Sequence, residues 1–190
     1  MTPVKVPMPG EHNALNALAA VVTGIEAGFD VEICVAGVES FQGVDRRFQH
    51  KACIRGVDFY DDYGHHPTEV QATLSGFREK YEKRRLVVLF QPHRFSRTKS
   101  CWNGFAKSFK LADKVCLLDI YPAGEAPIDG INSEKLAQAL VGVDTEYIGN
   151  GDLAIRTLQS ELGDGDILLT LGAGDVWRWG EKCISLFSHE

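Results

Sequence analysis

What this 190-residue chain has little of narrows its function considerably. It carries no excess of basic residues: 20 Lys and Arg stand against 26 Asp and Glu, a net charge of -6. A nucleic-acid-binding surface needs a basic face to meet phosphates, so nucleic acid is excluded as the main partner. Anionic small molecules stay open, because a few local arginines override a modest global charge. Cysteine is sparse and odd in number, at Cys34, Cys53, Cys101, Cys116 and Cys183, with no C-x-x-C pair. That scatter argues against a disulfide frame or a zinc site and fits reduced thiols in the cytoplasm. No apolar run is long enough for a membrane helix, and the first residues do not read as a signal peptide. The phosphate loop G-x-x-x-x-G-K-[ST] is missing, so nothing cradles β- and γ-phosphates in that manner. Internal repeats and low-complexity tracts are missing too.

What is present is an ordinary globular composition. With 44% hydrophobic and 24% charged residues, the chain can bury one core, or one domain plus a piece of another. Val4-Lys5-Val6 reads as a short strand remnant, broken by Pro7 and Pro9-Gly10. Leu15, Leu18, Ala19, Val22 and Ile25 fall at helical spacing, and Gly28 ends that helix. A second helix is expected from about Val31 to Ser40, and Phe41 to Arg47 reads as a linker.

Beyond it, strand-like and helix-like segments alternate. The strands are Lys51 to Ile54, Val57 to Tyr60, Leu86 to Phe90, Lys114 to Leu118, Thr145 to Ile148 and Ile167 to Leu171. Pro67 suits the first position of a helix whose buried stripe is Val70, Leu74, Phe77 and Tyr81. The continuous apolar runs LVVLF and ILLTL predict strands covered on both faces. The fold class is therefore α/β: a Rossmann-like, doubly wound, mainly parallel sheet preceded by a short helical remnant of another domain. The boundary falls near residues 44–47, dividing 1–45 from 46–190.

Two loops at strand ends carry the chemistry. One is Asp61-Asp62-Tyr63-Gly64-His65-His66-Pro67; the other is Gln91-Pro92-His93-Arg94-Phe95-Ser96-Arg97. In an open α/β sheet, ligands bind outside the carboxyl ends of the strands, so the two loops are expected to share one cleft. A carboxylate there suits ribose hydroxyls, and the planar forks of Arg94 and Arg97 suit a carboxylate or phosphate. Carboxylates and imidazoles are also metal ligands, which keeps a hydrolase built on Asp61, Asp62, His65 and His93 open. Gly172-Ala173-Gly174-Asp175 is a weak phosphate-loop signal, because Trp177 takes the third glycine's place. Tyr121 to Pro127 reads as a mobile rim, and Arg46-Arg47 as cations facing either domain.

These strings, taken together, resemble the Mur ligases of bacterial cell-wall synthesis over nearly the whole chain. The resemblance rests on Gly10-Glu11-His12-Asn13 with Asn16 to Ala20, Gly43 to Phe48, Asp61 to Glu69, Phe90 to Thr98, Asp119 to Glu125 and Leu169 to Asp175. DDYGHHPTE and FQPHRFSRT are similar to the alanine-adding members rather than to those that recycle murein peptides. Phe95 stands where many relatives have tyrosine.

The resemblance implies three domains: one for the UDP-sugar, a central ATPase and a Rossmann-like domain for the amino acid. Residues 1–45 would be the end of the central domain and 46–190 the third, so Met1 would open a partial chain. The implied reaction joins L-alanine to UDP-N-acetylmuramate at the expense of ATP, through an acyl phosphate, in the cytoplasm. Asn13 and Arg47 would reach the adenine with His12 beside them, and Asp62 would take the ribose. Arg94 and Arg97 would hold the alanine carboxylate, with Tyr63, His65 and His93 shaping the pocket. Mg²⁺ is implied, its ligands lying upstream with the phosphate loop; no metal site is expected in this chain. A stand-alone nucleotide-binding module and a metal-dependent hydrolase are the rival readings.

Overall fold

The computed structural model describes residues 3–189. In chain order it forms α1 (Glu11–Glu26), α2 (Val31–Glu39), β1 (Gln49–Ile54), β2 (Val57–Asp62), α3 (Pro67–Lys80), β3 (Leu86–Phe90) and α4 (Phe95–Ser100). There follow α5 (Trp102–Ser108), β4 (Lys114–Leu117), α6 (Ser133–Ala139), β5 (Asp144–Tyr147), α7 (Asp152–Glu161), β6 (Ile167–Leu171) and α8 (Val176–His189).

The two fully apolar segments take the centre of one six-stranded sheet, ordered β1-β2-β6-β3-β4-β5. β1 runs antiparallel to β2, and all other neighbours are parallel. Alternation along β3 explains why no polar residue interrupts it. Leu86, Val88 and Phe90 point to a layer with Val70, Leu74, Phe77, Phe105 and Leu136, from α3, α5 and α6. Val87 and Leu89 point the other way, to Ile155 and Leu158 of α7 and to Cys183 and Phe187 of α8. Period-two side-chain direction with helices on both faces leaves no solvent side.

Three segments differ from the sequence expectation, the first being β1, which begins at Gln49 rather than Lys51. Val4 to Val6 forms no strand, and Lys5 N–H instead donates to Glu39 Oε1 at 2.9 Å. The prolines at 7 and 9 deny that segment the donors a ladder needs. The second strand does not stop at Tyr60 but runs to Asp62, because β6 pairs with it to the end, Asp61 against Thr170 and Asp62 against Leu171.

α1 and α2 form a hairpin with no buried residue. The apolar stripe of α1 does form a helix, but Leu15, Leu18, Val22 and Ile25 remain exposed. Register places the site. Asp62 and Phe90 both lie opposite Leu171, so β2, β6 and β3 end level and their following loops open on one edge.

Candidate functional site

The first loop is shaped by a helix cap. His66 is the N-cap of α3: its Nδ1 accepts from Thr68 N–H at 3.3 Å, and Pro67 takes the first helical position. Glu69 reaches back, its Oε2 accepting from His65 N–H at 2.9 Å and His66 N–H at 3.1 Å. Two orphan donors are thus satisfied reciprocally, which fixes how the loop enters the helix. Within it, His65 Nδ1 sits 3.0 Å from the Tyr63 carbonyl. A carbonyl can only accept, so Nδ1 carries a proton.

The acids before this loop are not free. Asp61 is 3% exposed, accepting from Arg46 Nε at 2.9 Å and from Thr170 Oγ1 at 2.6 Å. Asp62, 4% exposed, accepts from Phe48 N–H and Gly64 N–H, both at 2.8 Å, and from Thr73 Oγ1 at 3.2 Å. Burial raises the Asp62 carboxyl above its usual range, opposed by the Phe48 and Gly64 amides and by Arg47. The hydrolase reading needed both carboxylates in an open loop. They are strand residues tied into the interior, and among the described residues no group of three His, Cys, Asp or Glu is placed to hold a metal ion.

The second loop lies alongside. The His65 and His93 rings are 6.0 Å apart, and Tyr63 packs edge-on against His65 at 5.2 Å. Arg97 Nη1 is 3.1 Å from His93 Nδ1. Guanidinium nitrogens only donate, so Nδ1 is a lone pair, the ring is neutral and Nε2 bears the hydrogen. Burial, then the charges of Arg97, His65 and Arg94, hold His93 below the usual imidazole range, with Glu125 opposing. Arg94 is exposed and enters α4 with φ +69°, a conformation costing a non-glycine residue about 1–3 kcal/mol. The bonds that retain it come from the loop after β4: Arg94 N–H donates to the Tyr121 carbonyl at 2.8 Å. That loop is therefore anchored to the site rather than free of it.

A cavity of about 1050 Å³ opens beside this cluster, between the α1–α2 hairpin and α3. His12, Asn13, Arg47 and Asp62 all line it, with Phe48, Phe29 and Ile33 among its apolar walls. Asn13 Nδ2 donates to the Pro9 carbonyl at 2.7 Å, which directs its amide oxygen elsewhere. Apolar walls with a few polar groups suit a planar base and its sugar. Tyr63 joins the two regions, since Arg47 lies over its ring at 5.6 Å while His65 meets its edge. The nine residues to which the resemblance gives binding roles thus fall into two adjoining groups, whereas Asp61 and Arg46 face inward.

Comparison with known proteins agrees with this fold. The family model "Mur ligase, glutamate ligase domain" matches residues 46–174. The chain belongs to the Mur ligase family. UDP-N-acetylmuramate–L-alanine ligase of Bdellovibrio bacteriovorus is 53% identical over 178 residues, covering 94% of this chain and 39% of that protein. The Geobacter sp. protein of the same name is 49% identical over 93% of this chain. The crystal structure of UDP-N-acetylmuramate-alanine ligase from Thermotoga maritima superposes with a TM-score of 0.80 at 27% identity, over 99% of this chain and 40% of that one. A murein peptide ligase from Psychrobacter arcticus gives 0.74 at 21% identity, which speaks for the fold. The chain spans about 40% of the length of these Mur ligases.

Two contacts of this Mur ligase domain go beyond the sequence reading, which took Arg46 as a cation facing either domain and Glu125 as part of a mobile rim. Arg46 does not face a ligand: besides Asp61 it donates to the Gly174 carbonyl at 3.2 Å and the Gly172 carbonyl at 2.5 Å. Glu125, in the rim loop, accepts from Ser96 N–H and Ser96 Oγ. Both contacts join residues far apart in the chain, and no local pattern announces them.

Proposed function

We propose that this chain is the amino-acid-holding part of an ATP-dependent ligase that joins L-alanine to UDP-N-acetylmuramate. In this reading residues 1–45 end a nucleotide domain, whose remaining parts would cover the exposed stripe of α1. The observation that carries the proposal is the adjacency of an arginine-histidine cluster, His65 to Arg97, to a cavity lined by His12, Asn13, Arg47 and Asp62.

The roles follow from chemistry. Arg94 and Arg97 would take the alanine carboxylate, since a guanidinium fork matches a carboxylate with two parallel bonds. Arg97 is already oriented by His93, so less freedom is lost on binding. Tyr63, His65 and His93 would wall the small side chain and set the amine's direction. Asn13 and Arg47 would hold the adenine, with His12 beside them. Three donors occupy the Asp62 carboxylate, which has about four lone-pair sites, so one remains for a ribose hydroxyl.

ATP with its Mg²⁺ would supply the phosphoryl group that activates the muramoyl carboxylate. In this reading that metal and the phosphate loop would be held by other parts of the ligase. The work of this chain's own residues is positioning: holding the amine in line with an activated carbonyl converts a bimolecular encounter into a step within one complex.

In the complete enzyme, Arg94→Ala and Arg97→Ala are expected to raise the L-alanine KM strongly while the KM for ATP stays put. Unchanged alanine saturation would overturn the pocket. The isolated chain is expected to hydrolyse no ATP and to form no peptide bond; turnover by the pure chain would overturn that. ATP binding by the isolated chain, tight and without any upstream segment, would favour the nucleotide-module reading instead.

A further inference from the structure

We propose that Glu125 is a positioning residue for the arginine pair, a role that rests on the amino-acid pocket proposed above. The first turn of α4 has a gap in its own wiring. Its N-cap is Arg94, which makes no side-chain cap bond and enters the helix at φ +69°. The amide of Ser96 is left without a partner from its own segment. Glu125 supplies one from 29 residues downstream: Oε2 accepts from Ser96 N–H at 2.9 Å and Oε1 from Ser96 Oγ at 2.6 Å. A carboxylate at this place satisfies an orphan donor and puts negative charge at the positive end of the turn. The same two bonds from Ser96, with Arg94 nearby, hold the Glu125 carboxyl below its usual range.

The loop bearing Glu125 is built to deliver it. Tyr121 N–H donates to the Pro92 carbonyl and its own carbonyl accepts from Arg94 N–H, both at 2.8 Å. The Tyr121 and His93 rings stack, 5.5 Å apart and 9° from parallel. Ala123 and Gly124 then turn the chain with φ of +49° and +84°, which returns Glu125 to α4. Tyr121 and Glu125 thus bracket the turn between them. Arg94 starts that turn and Arg97 lies three residues on, so one rotation of the turn displaces both guanidiniums. Glu125 would act on the amino acid through the turn that its bonds to Ser96 hold in place.

The test compares Glu125→Ala, Glu125→Asp and Ser96→Ala in the complete ligase, with alanine and ATP dependence measured separately. A displaced turn is expected to raise the L-alanine KM roughly tenfold in Glu125→Ala, leaving kcat and the KM for ATP within about twofold. Ser96→Ala follows the same direction, and Glu125→Asp recovers part of the loss. In the 190-residue chain, Glu125→Ala is expected to speed amide exchange at Ser96 while the sheet amides stay protected. If Glu125→Ala leaves the alanine KM unchanged while Arg94→Ala raises it, the positioning role is wrong and the pocket stands. If Arg94→Ala and Arg97→Ala also leave it unchanged, the pocket fails and this inference with it. A parallel loss of kcat and of affinity for both substrates would reduce Glu125 to a stability element and equally overturn the proposal.

Discussion

Arg46 and Asp61, 15 residues apart in the chain, meet with Nε 2.9 Å from Oδ2, the carboxylate almost wholly buried and the guanidinium partly so. The other two nitrogens of Arg46 go to the carbonyls of Gly172 and Gly174, so one side chain ties the domain's first turn to the end of β2 and to the loop after β6. The loop ends that frame the site are fastened together from behind.

Removing Arg46 leaves a buried carboxylate with only Thr170 and two loop carbonyls unpaired. Arg46→Ala is expected to cost roughly 2–4 kcal/mol, scaled below a fully buried pair because the guanidinium is partly in solvent. Urea unfolding with an unchanged m-value reads this directly. The double variant Arg46→Met with Asp61→Leu is expected to recover part of it. A single-variant loss under about 0.5 kcal/mol, the range of ordinary surface changes, would show that the tie is dispensable.

Gly172 has φ +146°, and a Cβ there would lie 2.6 Å from the Gln91 carbonyl oxygen. Gly172→Ala combines that clash with backbone strain and is expected to cost at least about 2 kcal/mol. Its carbonyl also holds Arg46, so the two losses are expected to be non-additive in a double variant. A thermal midpoint unchanged from wild type would contradict this.

His93 gives a pH prediction with a definite sign. Its native pKa lies below the ordinary value of 6.5, so near that value the unfolded chain binds more protons than the folded one. Its contribution to stability is therefore intact above the ordinary value and declines as pH falls through it toward the depressed native value. Arg97→Gln removes the nearest cation, so the His93 ring signal in NMR is expected to titrate at higher pH than in wild type. A wild-type His93 titrating at or above the ordinary value would sink this account.

Cys116 and Cys183 are 1% and 0% exposed, and burial pushes both thiols up to about 12. A thiol reagent at neutral pH is expected to spare these two in the native chain and to reach all five cysteines after denaturation. Native modification of Cys183, located by mass spectrometry, would mean that α8 does not stay packed.

The legible part of the fold was the part written in local pattern. The strands β3 and β6 announce themselves because two-sided burial removes every polar residue from a five-residue run. Pro67 marks the start of α3 because its missing N–H and fixed φ suit the first helical position. Sequence pattern ends the second strand at residue 60, because two adjacent aspartates look like a loop. Only the partner strand β6, with Thr170 and the Arg46 guanidinium beyond it, makes a strand position tolerable for Asp61.

By itself the sequence determined the α/β class, the family and the residue types gathered at the strand ends. Apolar periodicity and short motifs are properties of neighbouring residues, and neighbours stay neighbours in any fold. The tertiary structure alone decided which of those groups face a cavity and which serve as fasteners. It turned Asp61 and Arg46 inward, left Arg47 at the cavity, and set Glu125 on Ser96. Those outcomes depend on β2, β6 and β3 ending side by side, an arrangement of strands 57–62, 167–171 and 86–90 that no stretch of the chain encodes on its own.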